Sequence, residues 1–189
     1  MPAGVDEIRV LAIGGGGGGQ GGCGCGATSG HLKSMKFSVQ AGTNYGIEVG
    51  KGGSSGQDGD PSYFFKDDIN LFFAAGGKSG TGYECYEFQH PDGENWSLIL
   101  SIIKNQNISE GPPGNRTGEN TGGPGGGGIM INGKGPQAEY PDGNKDPLEG
   151  IGGHGYGAGG GASGPGQDDR GYHFRAGDGA SGLVYIEWD

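Results

Sequence analysis

Cysteines, basic residues and long apolar runs are all scarce in this chain, and each scarcity closes a class of explanation. Three cysteines, Cys23, Cys25 and Cys85, are an odd number and make no disulfide framework. A C-x-C pair with one distant cysteine would need His31 or His90 to complete a zinc site, and that spacing is a weak metal signal. Free thiols and no bound metal are the expectation. Twelve Lys and Arg against 22 Asp and Glu leave a formal net charge of −10. That balance lacks the cationic footprint that nucleic acid demands and suits a polar, soluble exterior. No run approaches the roughly 18–20 apolar residues of a membrane span. The opening MPAGVDEIRV has neither the basic region nor the apolar stretch of a secretory signal. Synthesis in a cytoplasm is therefore expected, where the N-x-S/T triplets at Asn95, Asn107 and Asn115 carry no glycan.

Catalytic signatures are missing as well. The segment AAGGKSG contains G-K-S, but Phe72 stands where a phosphate loop needs its first glycine. Asp58-Gly59-Asp60 lacks the later carboxylates of a calcium loop and reads as a solvated turn. His31, His90, His154 and His173 have no neighbouring nucleophile or ligand spacing. Asp67-Asp68 and Asp168-Asp169 are adjacent pairs, which a strand splays to opposite faces. An enzyme is not expected, and neither is a cofactor.

What the chain has instead is glycine. Fifty glycines and ten prolines among 189 residues would ordinarily suggest low complexity or disorder. The glycines, however, sit in blocks between compact apolar runs, and no strict G-X-Y period exists, so collagen is excluded. The defining stretch is Glu7 to Gly22, EIRVLAIGGGGGGQGG, where a strand runs straight into six glycines, Gly14 to Gly19. Ile8, Val10 and Ala12 fall on one face of that strand, and Arg9, Leu11 and Ile13 on the other. A glycine run has no side chains to bury, so its backbone N–H and C=O groups must find partners in neighbouring segments.

Strand and glycine block then alternate. Met35, Phe37 and Val39 alternate with polar residues across Leu32–Val39, and Tyr45, Ile47 and Val49 follow a turn at Ala41–Asn44. Gly50–Gly59 is a second glycine-rich block. Ser62–Phe65 and Asp68–Ala75 come next, the latter with Ile69, Leu71 and Phe73 on one face, before a short block at Gly76-Gly77. Residues 81–150 read as an inserted loop region in a single domain spanning 1–189. It carries the aromatics Tyr83, Tyr86, Phe88 and Trp96 and an apolar run Leu98–Ile103 of strand or short helix. Gly122–Gly128 leads into Ile129–Ile131, a breaker-rich segment follows to Gly150, and Ile151–Gly166 is the last block. The chain closes on Leu183–Trp188, with Leu183, Tyr185 and Glu187 on one face and Val184, Ile186 and Trp188 on the other. First and last elements are both strands, which invites their pairing in one sheet.

The fold expected is all-β, a small antiparallel sheet or sandwich with stacked polyglycine-II (polyproline-II-like) helices and long loops. Such helices turn once per three residues and have no internal hydrogen bonds, so side by side they can bond laterally. A period of three is partly visible between Gln20 and Cys23 and between Ile151 and His154, and it breaks at Cys25 and Tyr156.

The order PAGVDEIRVLAIGGGGGGQGG, FSVQAGTNYGIEVGKGGSSG, INLFFAAGGKSG and GHGYGAGGGASG with DGASGLVYIEW resembles the glycine-rich domain of bacteriophage tail-fibre and adhesin proteins. The likeness covers Pro2–Gly80 and Gly150–Asp189 and leaves out Thr81–Gly150. It implies a virion protein, made in the host cytoplasm, whose stacked polyglycine-II helices carry recognition loops at a tip. Its expected partners are other virion proteins and a host surface glycan or outer-membrane protein, with a trimeric assembly by family analogy. Aromatics with polar neighbours suit such receptors, because a ring offers flat apolar area and Tyr, Trp and His add a hydrogen bond. The candidate receptor-binding residues are Tyr83, Tyr86, Phe88, His90, Trp96, Tyr172, His173 and Phe174. The alternative is a capsid decoration or head-fibre subunit with a purely structural role.

Overall fold

The structure, a computed structural model, describes residues 1–21, 25–80, 95–114, 124–138, 152–163 and 176–189. Its elements in order are β1 (Glu7–Ile13), β2 (Leu32–Ser38), β3 (Gly46–Glu48), β4 (Ser62–Lys66), β5 (Ile69–Ala74), α1 (Trp96–Leu100), β6 (Ile108–Glu110), β7 (Ile129–Ile131) and β8 (Leu183–Glu187). The strands form antiparallel sheets in the orders β2-β1-β8, β3-β4-β5 and β6-β7. The fold is thus all-β with small antiparallel sheets, and the first and last strands do pair, Val10 opposite Ile186 and Ile13 opposite Leu183.

β1 is central because both of its faces are apolar. Ile8, Val10 and Ala12 enter one cluster with Phe64, Phe72 and Ala74 of the second sheet, and Leu11 and Ile13 enter another with Leu32, Trp96, Ile103 and Ile129. An antiparallel sheet usually wets one face. Here the second face is covered by α1, β6 and β7. Fully burying an Ile, Leu or Val contributes about 1.5–3 kcal/mol each, so β1 alone supplies a large part of the thin core. The last strand follows the same division, with Val184 and Ile186 on the first cluster and Leu183 and Tyr185 on the second.

The first two sheets pack face to face through aromatic contacts. The Phe37 ring lies 5.2 Å from Phe64 and 5.9 Å from Phe72, and Tyr45 stacks on Phe64 at 5.5 Å. The β4–β5 hairpin turns on Asp67 and Asp68, both with positive φ (49° and 62°). This is the handedness that two-residue hairpin loops prefer, and Asp tolerates it better than most residues. On β5, Leu71 and Phe73 are on one face, and a register shift between Phe64 and Phe65 leaves Leu71 without a β4 partner and takes Ile69 out of that alternation. Ile69, Leu71 and Phe73 are all exposed, and Phe72 and Ala74 are buried in the core.

Residues 95–114 and 124–138 are integrated with the rest. The Asn95 side chain accepts a hydrogen bond from Leu98 N (3.1 Å) and caps α1. Trp96 and Ile103 then pack under the first sheet, and the Ser34 hydroxyl donates to Ile99 O at 2.9 Å.

Candidate functional site

Beyond the end of β1, the glycine run is ordered by neighbours on every side. Its N–H groups donate to three surrounding segments in rotation. Gly14, Gly17 and Gln20 donate to the carbonyls of His31, Thr28 and Cys25; Gly15 and Gly18 to those of Asp60 and Gln57; Gly16 and Gly19 to those of Ala180 and Gly177. Its carbonyls accept from three others. Gly77 and Gly80 donate to Gly15 and Gly18, Gly53 and Gly56 to Gly16 and Gly19, and Gly160 and Ser163 to Gly17 and Gln20. Each neighbour recurs every third residue. The three acceptor segments run antiparallel to the central one and the three donor segments run parallel to it.

Glycine is required here because the six neighbours leave no room for a side chain. A methyl on Gly14 would overlap the Ala75 carbonyl, on Gly15 that of Lys51, on Gly16 that of Ala158, on Gly17 that of Lys78, on Gly18 that of Ser54 and on Gly19 that of Gly161. Outer segments extend the array. Gly126 donates to Ala27 O, Gly159 to Gly126 O, Gly153 to Gly159 O and Gly111 to Gly128 O. Ser62 pins the bundle to the sheets: its buried hydroxyl donates to Ile13 O at 2.8 Å and accepts from Gly50 N at 2.9 Å.

The bundle has a sheet end, at Gly14, and a distal end, at Gln20. The chain returns repeatedly to the distal end. Gln20 N donates to Cys25 O across residues 22–24, and Gly80, bonded to Gly18, leads into 81–94. Ser163 and Gly177, bonded to Gln20 and Gly19, flank 164–175. Gly114 donates to Gly125 O across 115–123, and Ala138 donates to Gly153 O across 139–151, both beside Gly126 in the distal half. A turn at Ser54–Gln57 closes there too, with Gly56 at positive φ (75°) where a type II turn needs it.

Polar groups finish that end. Asp178 accepts from Ser55 N at 2.9 Å. Asp58 accepts from Lys78 Nζ at 2.7 Å and Ser79 N at 2.8 Å, and the Lys78 bond, then that of Ser79, holds its carboxyl below the usual range. The exposed Asp58–Lys78 pair adds little stability, but with Ser79 it fixes two segments beside each other.

The opposite pole carries a charged cluster in which Arg9 and Glu187 are buried and Asp189 is exposed. Arg9 Nε donates to Glu187 at 2.6 Å and its two terminal nitrogens to Asp189 at 3.0 and 2.7 Å. Glu187 also accepts from Lys104 N (2.8 Å) and Asn105 N (3.0 Å), tying the 95–114 segment to the last strand. Burial pushes the Glu187 carboxyl up, but the Lys104, Arg9 and Asn105 donors outweigh it and hold it below its ordinary range. With these donors in place the cluster holds the fold together. Sequence reading put Arg9 and Glu187 on strands expected to pair without joining the two charges. Their opposite signs on facing strands were the available signal.

Of the candidate receptor residues, Tyr83, Tyr86, Phe88, His90, Tyr172, His173 and Phe174 lie outside the described residues. Trp96 is corrected: it is 3 % exposed in the second core cluster, so its ring is committed to packing and not to a receptor. The helix brings it there because Asn95 caps the chain one residue earlier. Cys25 is buried. Among the described residues no cluster of three or more His, Cys, Asp or Glu could hold a metal, and no helix is long and apolar enough to cross a membrane.

These features define a class: an all-β protein whose glycine segments are bonded laterally into a bundle capped by sheets at one end. The model of the glycine-rich domain family matches residues 1–189, and the chain belongs to that family. The match includes 81–150, the stretch left out of the resemblance read from motifs. Comparison with curated proteins returns no match.

Proposed function

We propose that the chain is a non-enzymatic bacteriophage virion protein, a tail-fibre or adhesin tip module that recognises the host cell surface through loops on a rigid glycine scaffold. In this reading the laterally bonded segments are polyglycine-II helices, and the three-residue recurrence of their partners supports that assignment. One observation carries the proposal. The described ends flanking residues 22–24, 115–123, 139–151 and 164–175, and the start of 81–94, all lie toward the distal end of the bundle. Gly80, which leads into the segment bearing Tyr83, Tyr86, Phe88 and His90, and both flanks of the segment bearing Tyr172, His173 and Phe174 lie at that end, and the first of these segments is followed by Trp96 under the first sheet. Loops held by a stiff frame are the usual carriers of recognition. The partners are a host glycan or outer-membrane protein at that pole and other virion proteins elsewhere, in a homotrimer.

The experiment is adsorption of phage carrying Tyr86→Ala together with Tyr172→Ala, with particle assembly as control. Slower adsorption by normally assembled particles supports the reading, and unchanged adsorption refutes it. Immunogold labelling of intact particles separates tail from head. Label on the head would replace the tip module by a capsid decoration or head-fibre subunit.

A further inference from the structure

β7 runs directly into the one Asn-Gly step of the sequence, Asn132-Gly133. Asparagine before glycine is the step most open to self-modification, because no side chain shields the following amide nitrogen from the Asn carboxamide. Here the step forms the tip of a two-residue hairpin. Ile131 N donates to Lys134 O at 2.9 Å and Lys134 N to Ile131 O at 3.0 Å, and the two residues between them have φ of 52° and 71°. Positive φ at both central positions makes this a type I′ turn, the form that Asn-Gly favours. Both residues are exposed and Gly133 has open space around it, so water reaches the carboxamide.

The turn decides whether the step reacts. Cyclisation needs Gly133 N close to Asn132 Cγ, and therefore on the same side of the Cα–C bond as Cβ. A type I′ turn sets ψ of its first central residue near about +30°, which swings Gly133 N almost opposite to Cβ. The other two-residue turn, type II′, would bring the two together, but its first position is a glycine conformation that asparagine enters only under strain. The residue is tethered as well: Asn132 Nδ2 donates to Gln106 Oε1 at 2.7 Å and Asn132 N to Asn107 O at 2.7 Å. Four hydrogen bonds thus hold the step in an unreactive geometry, at the margin of a sheet with strands of only three residues.

We infer that Asn132 is a deamidation site gated by this hairpin, silent while the turn is closed and reactive when it opens. In the open form the Gly133 nitrogen gives up its proton and bonds to Asn132 Cγ. The Cγ–Nδ2 bond breaks, and that nitrogen leaves as ammonia with the proton. Water then opens the cyclic imide at either carbonyl, giving aspartate or, with the main chain rerouted through Cγ, isoaspartate. Neither product restores the turn: a carboxylate cannot donate to Gln106 Oε1, and isoaspartate adds a main-chain atom to the tip. In the folded chain the reaction proceeds only through the open fraction, which these bonds hold to about one tenth or less. Each opening that reacts is recorded as one more negative charge. The inference goes beyond the proposed function and stands without it, because it rests on the chemistry of one turn.

The test is incubation of the full chain at neutral pH, folded in buffer and unfolded in guanidinium chloride. Peptide mass mapping locates each amide-to-acid conversion, and enzymatic methyl transfer reads isoaspartate. In the denaturant, Asn132 should convert before every other asparagine; in buffer its conversion should be at least about tenfold slower. Lys134→Pro, which removes one donor of the turn, should bring the rate in buffer close to the denatured rate while Gly14–Gly19 exchange stays as in the parent. Equal rates for the parent in buffer and denaturant, or earlier conversion of a different asparagine in denaturant, overturns the inference. So does a Lys134→Pro chain with intact Gly14–Gly19 protection whose Asn132 reacts no faster than the parent's. Where that variant loses Gly14–Gly19 protection, Gln106→Ala, which frees only the exposed tether, decides instead: a faster rate in buffer supports the gate, and an unchanged one overturns it.

Discussion

Replacing Gly16 by alanine tests the bundle at the most crowded glycine of the central run. The added methyl overlaps the Ala158 carbonyl, which itself accepts from Ala180 N at 2.8 Å. Gly16 N donates to Ala180 O at 2.9 Å and Gly16 O accepts from Gly53 N at 2.8 Å, so relieving the overlap disturbs three bonds joining four segments. Each is worth about 0.5–1.5 kcal/mol net, and a buried group left unpaired costs about 1–3 kcal/mol. Alanine returns about 0.4–1 kcal/mol by restricting the unfolded chain. The balance is a loss of about 3–5 kcal/mol, about a fifth or more of the stability of an ordinary domain. At about 2–4 °C per kcal/mol for a chain of this size, Tm falls by about 6–20 °C. Calorimetry of Gly16→Ala beside Gly42→Ala is the assay. Gly42 has φ +77° and open space around it, so alanine there costs only the backbone strain of about 1–2 kcal/mol. A Gly16→Ala Tm within about 3 °C of the parent, or equal to that of Gly42→Ala, would refute the close-packed bundle.

The other expectations concern the junction, the core and the charged cluster. Ser62→Ala leaves Gly50 N–H and Ile13 C=O short of a partner in a buried site and should cost about 1–3 kcal/mol, read as a lower denaturation midpoint with an unchanged slope. Trp96→Ala should cost about 3–5 kcal/mol as a core truncation; full stability in urea would return the ring to the surface. Glu187 and Asp189 have carboxyls held below their ordinary values, Glu187 against the cost of its burial and Asp189 chiefly by the Arg9 hydrogen bonds. Their contribution is present above the unfolded carboxylate range, near about 4, and is lost as pH falls through the lower folded values. Unfolding followed from pH 7 to 2 should show a steep acid loss that Glu187→Gln makes shallower; an identical profile would remove the cluster from the account.

Much of the sheet architecture was legible because it is written in side chains. The apolar pattern of Ile8–Ile13 marks a strand with at least one buried side, and the strand pattern of Leu183–Trp188 at the other end of the sequence invites its pairing with β1. The bundle was legible only as a requirement. Glycine carries no side-chain pattern, so nothing in GGGGGG says which carbonyl each N–H will reach, and the six partners emerge only in three dimensions. Trp96 was misjudged because an aromatic among polar residues reads alike whether it caps a loop or fills a core. Ser62 gave no hint, since its role depends on Ile13 and Gly50 converging on one hydroxyl.

Because every third residue of the central run faces the same neighbour, the run has a reading frame. Deleting one glycine from Gly14–Gly19 would hand each later amide to the wrong segment, whereas removing three would shorten the column by one turn and keep every later assignment. Length variation among relatives should accordingly be quantised in the glycine columns and unrestricted in the stretches that join them at the distal end. An alignment could look for that contrast without any further structure.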